Sequence, residues 1–164
     1  MKFSKLTLLS TLALLIAFSH NVFAQNSEPL LGDLQSGWAV ANYQLKDKDQ
    51  IKAFEELILQ GEASLSNNPD DADIQIWTGI IKSTLAGAKG GLGALSLAKA
   101  AKTHLEKAIE LGCCDSIGEL GILYHKGVIV DKDIEKAEAL LLEAIGKGSY
   151  VAKRYHVVEF NDLV

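Results

Sequence analysis

A segment of this chain repeats itself. Ala108-Ile109 and Gly112 recur as Ala144-Ile145 and Gly148, an offset of 36 residues. At the same offset Ala101 matches Ala137, Leu105 matches Leu141, and Tyr124 matches Phe160. A recurrence of that length built from two helices specifies a solenoid, because one unit cannot bury its own apolar stripe and must share it with a neighbour.

The rest of the chain carries the same helical signal. Apolar residues recur at steps of three and four, with no convincing run of period-two alternation. Leu34, Trp38, Ala41 and Leu45 form a first stripe, and Ile51, Phe54, Ile58 and Leu65 a second. Asp47 with Gln50 three residues on reads as a capping box opening that second helix. Asn68-Pro69-Asp70-Asp71 reads as the next start: Asn caps, Pro takes the first helical position, and the acids meet the positive helix end. Ile74, Trp77, Ile81 and Leu85 follow as a third stripe.

Ala94, Ala98, Ala101, Leu105 and Ala108 make a fourth stripe of mostly small residues, which lets a neighbouring helix come close. Its opposite face carries Lys99, Thr103, Glu106 and Glu110. Ser116 to Lys126 is a short fifth helix stopped by Gly127. Asp131 or Asp133 caps a sixth with Ile134, Ala137, Leu141 and Ala144 buried. Ser149 caps a seventh with Val151, Ala152, Tyr155 and Val158 turned inward. Seven helices with short joints predict an all-α array of antiparallel pairs.

Residues 1–24 read as an address. Lys2 and Lys5 precede an apolar run from Leu6 to Phe18, and Val22-Phe23-Ala24 offers a cleavage site before Gln25. This is the layout of a signal peptide, and the run is too short for a spanning helix. No Cys sits near the boundary for lipid attachment, and no later stretch approaches a membrane span. Residues 25–164 are then the mature chain, expected in the periplasm or outside the cell, with no stable membrane span after cleavage.

Composition narrows the function classes. The 164 residues are 48% hydrophobic and 23% charged, enough for a packed core and unlike a disordered chain. The formal charge of −5 lacks the basic footprint that phosphate binding needs, so nucleic acid is not an expected partner.

Leu120-Gly121, Tyr124, Lys126-Gly127-Val128, Asp133, Lys136-Ala137, Ala144, Gly148 and Ala152 resemble a Sel-one-like repeat, a variant of the tetratricopeptide repeat. Ala53 to Trp77, with Pro69 at the joint, resembles a more ordinary tetratricopeptide unit. The stretch from Trp77 through Gly87-Ala88-Lys89-Gly90-Gly91-Leu92 to Ala94-Leu95 is similar to segments of exported bacterial tetratricopeptide proteins of unassigned function. The resemblance spans most of residues 29–160. It implies antiparallel helix pairs stacked as a short tetratricopeptide-like solenoid, and an activity of holding partners. The pattern departs at His156-Val157, where a repeat has Leu-Gly, which makes the last helix a cap.

Chemistry-bearing residues are sparse. Cys113 and Cys114 are adjacent at a helix joint; two thiols, a strained vicinal disulfide and links to other chains all remain open for them, with a small-residue pair packing the turn as the default. His104 and His125 lie about 13 and 16 Å away along straight helices, too far to complete a metal site with them. His156 and Glu159 share a face but make half a site. Lys89 precedes its Gly pair, which breaks the phosphate-loop spacing, so the glycine-rich stretch reads as a tight helix crossing. Trp38, Trp77, Tyr43 and Tyr155 read as core aromatics. No nucleophile-elbow, zinc-helix or Cys-x-x-Cys motif occurs.

The expectation is an exported scaffold that binds a protein or peptide, is not an enzyme, and needs no cofactor. Its contact residues are not assigned by sequence. A periplasmic small-molecule carrier is the first alternative and a Cys-dependent redox or metal protein the second. A scaffold requires a concave groove, a carrier an enclosed apolar pocket, and a redox protein an exposed Cys beside a cation.

Overall fold

A computed structural model describes residues 27–127 and 131–160. The signal-peptide reading of residues 1–24 and Val128 of the repeat pattern lie outside the described residues. Among those described, the chain is all-α: α1 (Ser27–Tyr43), α2 (Asp47–Asn67), α3 (Ala72–Lys89), α4 (Gly91–Glu110), α5 (Cys114–Lys126), α6 (Ile134–Gly146) and α7 (Tyr150–Phe160).

Each helix packs on the next, giving pairs α1/α2, α3/α4 and α5/α6 with α7 closing the array. The odd helices also touch one another in sequence, α1 to α3, α3 to α5 and α5 to α7, whereas α2, α4 and α6 do not. A stack whose one layer converges while the other splays is curved. The odd helices form its concave face, so the antiparallel pairs stack in the manner of a short solenoid.

The small stripe of α4 explains a close crossing with α3. Ala98, Ala101, Leu105 and Ala108 are all fully buried. A Cβ added at Gly79 would lie 3.1 Å from Leu105 Cγ and 3.2 Å from the Ala101 carbonyl. The next pair repeats this: a Cβ at Gly121 would lie 3.0 Å from the Ala137 carbonyl and 3.1 Å from Leu141 Cγ. Gly37 holds the equivalent place against Leu57 in the first pair. Gly37, Gly79 and Gly121 stand 42 residues apart, a second spacing that the 36-residue recurrence conceals. The two coexist because the α5/α6 hairpin is shorter, with 13 residues in each helix against 18 and 20 in α3 and α4.

The recurrent joints match bond for bond. Gly112 and Gly148 have φ of 92° and 96°, a region that favours glycine. Cys113 N donates to the Ala108 carbonyl at 2.9 Å, and Ser149 N to the Ala144 carbonyl at 2.9 Å. Asp133 caps α6 through Lys136 N, and Ser149 caps α7 through Ala152 N, as the sequence predicts. The glycine-rich stretch is a hairpin turn, with Gly90 alone between α3 and α4.

Several local expectations need correction. The α2 start has no capping box: Lys46 is the N-cap without a side-chain bond, and Gln50 Nε2 instead donates to the Ala41 carbonyl, tying α2 to α1. The start of α3 shifts past Pro69. Asp71 is its N-cap, accepting from Ile74 N at 3.1 Å, while Asn68 ends α2. Ile134 is exposed, as are Val151 and Val158, the last two because they line the concave side of α7. Tyr43, read as core, is also exposed.

Candidate functional site

The concave face of the odd helices holds a cavity of about 600 Å³. Every lining residue comes from α1, α3, α5 or α7. Trp38, Ile80 and Ile122 occupy it at successive intervals of 42, so the curvature aligns one position from each of three helices. Its floor is apolar, with Ile76, Ile122 and Leu123 buried and Trp38 and Trp77 half-buried. Tyr150, Val151, Arg154, Val158 and Glu159 of α7 form an exposed rim.

The aromatic floor is held in place. Trp38 Nε1 donates to Thr84 Oγ1 at 3.0 Å, and Thr84 Oγ1 donates to the Ile80 carbonyl at 2.9 Å. Trp38 meets Trp77 edge-on, with centroids 6.0 Å apart. Their bodies pack on the core, so the core reading of both holds only for their inner sides. On the far wall the Tyr155 hydroxyl lies 2.8 Å from His125 Nδ1. Lys126 Nζ stands 5.9 Å from the centre of the Tyr155 ring.

Charge enters through α5. Asp115 and Glu119 are one turn apart on the groove side. Asp115 is engaged: Ser149 Oγ donates to its Oδ1, joining α5 to the start of α7. Glu119 makes no ion pair within 4.0 Å and no side-chain hydrogen bond among the described residues. Burial pushes its carboxyl up to about 7, with Lys126 pulling it back and Asp115 adding to the rise. Glu119 takes the place held by Trp77 in the preceding inner helix, at the interval of 42. It also matches Tyr155 in the following one, at 36.

The opposite side of α3 carries a different polar cluster, sealed rather than open. Lys82 is buried and donates to Glu62 Oε1 at 2.6 Å and to His104 Nε2 at 3.0 Å. His104 Nδ1 then donates to Gln75 Oε1 at 2.7 Å, and Gln75 Nε2 to the Pro69 carbonyl at 2.8 Å. Burial, reinforced by the neighbouring Lys82, lowers His104 to about 4, so the ring is neutral and its Nε2 accepts. This chain of hydrogen bonds staples α2, α3 and α4, and each of its members is partnered within the protein.

The remaining sequence candidates disperse. Cys113 and Cys114 are free and half-buried, Cys113 packing against the α4 stripe. His156 faces Glu138 at 3.8 Å and stacks on Phe160, rather than joining Glu159. Lys89 pairs with Glu55 of α2. Among the described residues no three His, Cys, Asp or Glu side chains converge as metal ligands, and no helix is long and apolar enough to cross a membrane.

Sequence reasoning missed Glu119, Arg154 and Tyr150. The signal that finds Glu119 is the pair of intervals, 42 back to Trp77 and 36 on to Tyr155, which sets a carboxylate between two aromatic positions. Comparison with protein-family models and with curated proteins gave no match to this chain.

Proposed function

We propose that the chain is an exported, tetratricopeptide-like or Sel-one-like repeat protein that acts by binding. Its concave groove takes an extended segment of a partner protein, and the work is recognition rather than catalysis. The observation that carries this reading is the origin of the groove: four successive inner helices contribute its whole lining, with an apolar floor and a charged rim. Solenoids present partner surfaces in this way. Export to the periplasm or beyond rests on residues 1–24.

The test fills the groove. Ser83→Trp puts a bulky side chain on its wall, and pull-downs from a periplasmic extract compare it with the parent chain at low and high salt. Partner capture by the parent and its loss in a variant of unchanged helicity support the proposal. Equal capture by both contradicts it. A small-molecule carrier is the second reading, favoured by a volume within the range of small-ligand sites. Native mass spectrometry of the exported protein supports the carrier if one small molecule is retained by the parent and lost from Ser83→Trp.

A further inference from the structure

Glu119 is a carboxyl in a cavity wall with nothing bound to it. Glu119 is half-buried, and a carboxylate partly withdrawn from water gains from a donor that replaces the lost hydration. The protein supplies such a donor elsewhere: Asp115, one turn earlier, receives the Ser149 hydroxyl. Among the described residues Glu119 has no hydrogen-bond donor and no cation within 4.0 Å. Lys126 and Arg154 are exposed at the rim and stay hydrated at little cost, so neither creates a comparable demand for a partner. Lys126 is drawn over the Tyr155 ring rather than onto Glu119.

The surroundings select the kind of donor. Trp77 and Tyr155 hold the matching places on the two neighbouring inner helices. Aromatic faces beside a carboxylate suit a cation with an apolar stem, which gains from both. The groove carries Asp115, Glu119 and Glu159 against Lys126 and Arg154, and the whole chain is acidic at −5.

We propose that Glu119 is the specificity anchor of the groove and receives a lysine or arginine side chain of the bound segment, flanked by Trp77 and Tyr155. This rests on the reading of the groove as a peptide site. The unpartnered carboxyl holds its proton up to about 7 because of burial, and an arriving cation displaces that proton. Affinity for a lysine peptide therefore rises from pH 6 to pH 8. The other charged and titratable groups of the site are Asp115, Lys126 and His125 on α5 and Tyr150, Arg154, Tyr155 and Glu159 on α7; α1 and α3 contribute none to the wall. A Glu119→Gln variant loses the pH slope, whereas His125→Asn retains it.

The experiment pans a random nonapeptide library against residues 25–164 at pH 8. Expected binders carry Lys or Arg at one fixed position beside apolar residues, and Ser83→Trp abolishes their binding. Glu119→Gln, an isosteric change, weakens a lysine binder by about tenfold or more, as expected for a charge-assisted bond. Changing that lysine to glutamine costs the same, and the two changes together cost no more than either alone. Binders blocked by Ser83→Trp but indifferent to Glu119→Gln, or lacking a basic residue, overturn the anchor and leave the groove reading intact. A library that yields no binder, or only binders indifferent to Ser83→Trp, overturns both.

Discussion

Two faces of α3 handle buried polar groups in opposite ways. Behind it, Glu62, Lys82, His104 and Gln75 pass hydrogen bonds from helix to helix until the last donor reaches the Pro69 carbonyl. In front of it, across the groove, Glu119 stands without a side-chain partner. Both clusters perturb an ionisable group, His104 downward and Glu119 upward. Perturbation alone therefore does not separate structure from function. What separates them is closure: a chain whose members satisfy each other holds helices together, and one with an unmet acceptor beside a cavity is prepared for a ligand.

The largest expected effect breaks the sealed side with acid. The unfolded chain protonates His104 near 6.5 and the folded chain only near 4. Its contribution is full above 6.5 and lost as the pH falls to 4, a loss of at most about 3 kcal/mol at ~1.4 kcal/mol per pH unit, lessened by solvent screening of the half-buried ring. Glu119 opposes this slope between 4.5 and 6.5, since its raised value favours the folded state as the pH falls. Urea titrations from pH 7 to 4 in a Glu119→Gln background isolate the His104 slope, and adding His104→Gln removes it.

Lys82→Met attacks the same cluster at constant pH. It leaves His104 Nε2 without its donor and should cost about 2–3 kcal/mol in urea unfolding, part of the Glu62 pairing being screened because Glu62 is exposed. Peptide affinity at the groove should be unchanged. Gly121→Ala tests the shared crossing of α5 and α6: its Cβ meets the rigid Ala137 carbonyl at 3.0 Å, and about 2 kcal/mol is expected.

The open side responds with the opposite sign. Glu119→Gln removes a carboxylate that folding desolvates, so it should stabilise the free protein by about 1 kcal/mol at pH 8, discounted for partial exposure, and by nothing at pH 4. Differential scanning calorimetry at the two pH values reads the difference. The smallest effect is Lys52→Ala. Its 3.8 Å pair with Glu56 is solvent-exposed, and about 0.3 kcal/mol sets the scale for a pair that matters to neither face.

The parts of the fold that local pattern determines were legible in the sequence. The α4 and α6 stripes, the Asp133 and Ser149 caps, and the Gly112 and Gly148 stops each depend on residues a few positions apart. Trp38, Val151 and Val158 show what pattern withholds. An apolar position at helical spacing faces either a neighbour or a groove, and only the packing of successive units decides which. Val151 and Val158 read as inward because apolar spacing does not say which side of α7 faces the groove. The sealed cluster joins Glu62, Lys82 and His104 from three helices, a meeting no single-helix period encodes. Glu119 was passed over as one more polar residue among the apolar positions of α5, and it acquires meaning only when α3, α5 and α7 are laid side by side.

The most direct test follows the Glu119 side-chain carboxyl carbon by NMR across pH, in the free protein and with a saturating lysine-bearing groove peptide. The account predicts a midpoint of about 7 in the free chain and a fall toward the ordinary 4.5 on binding. A free-state midpoint near 4.5, or one unmoved by a peptide that fills the groove, contradicts it.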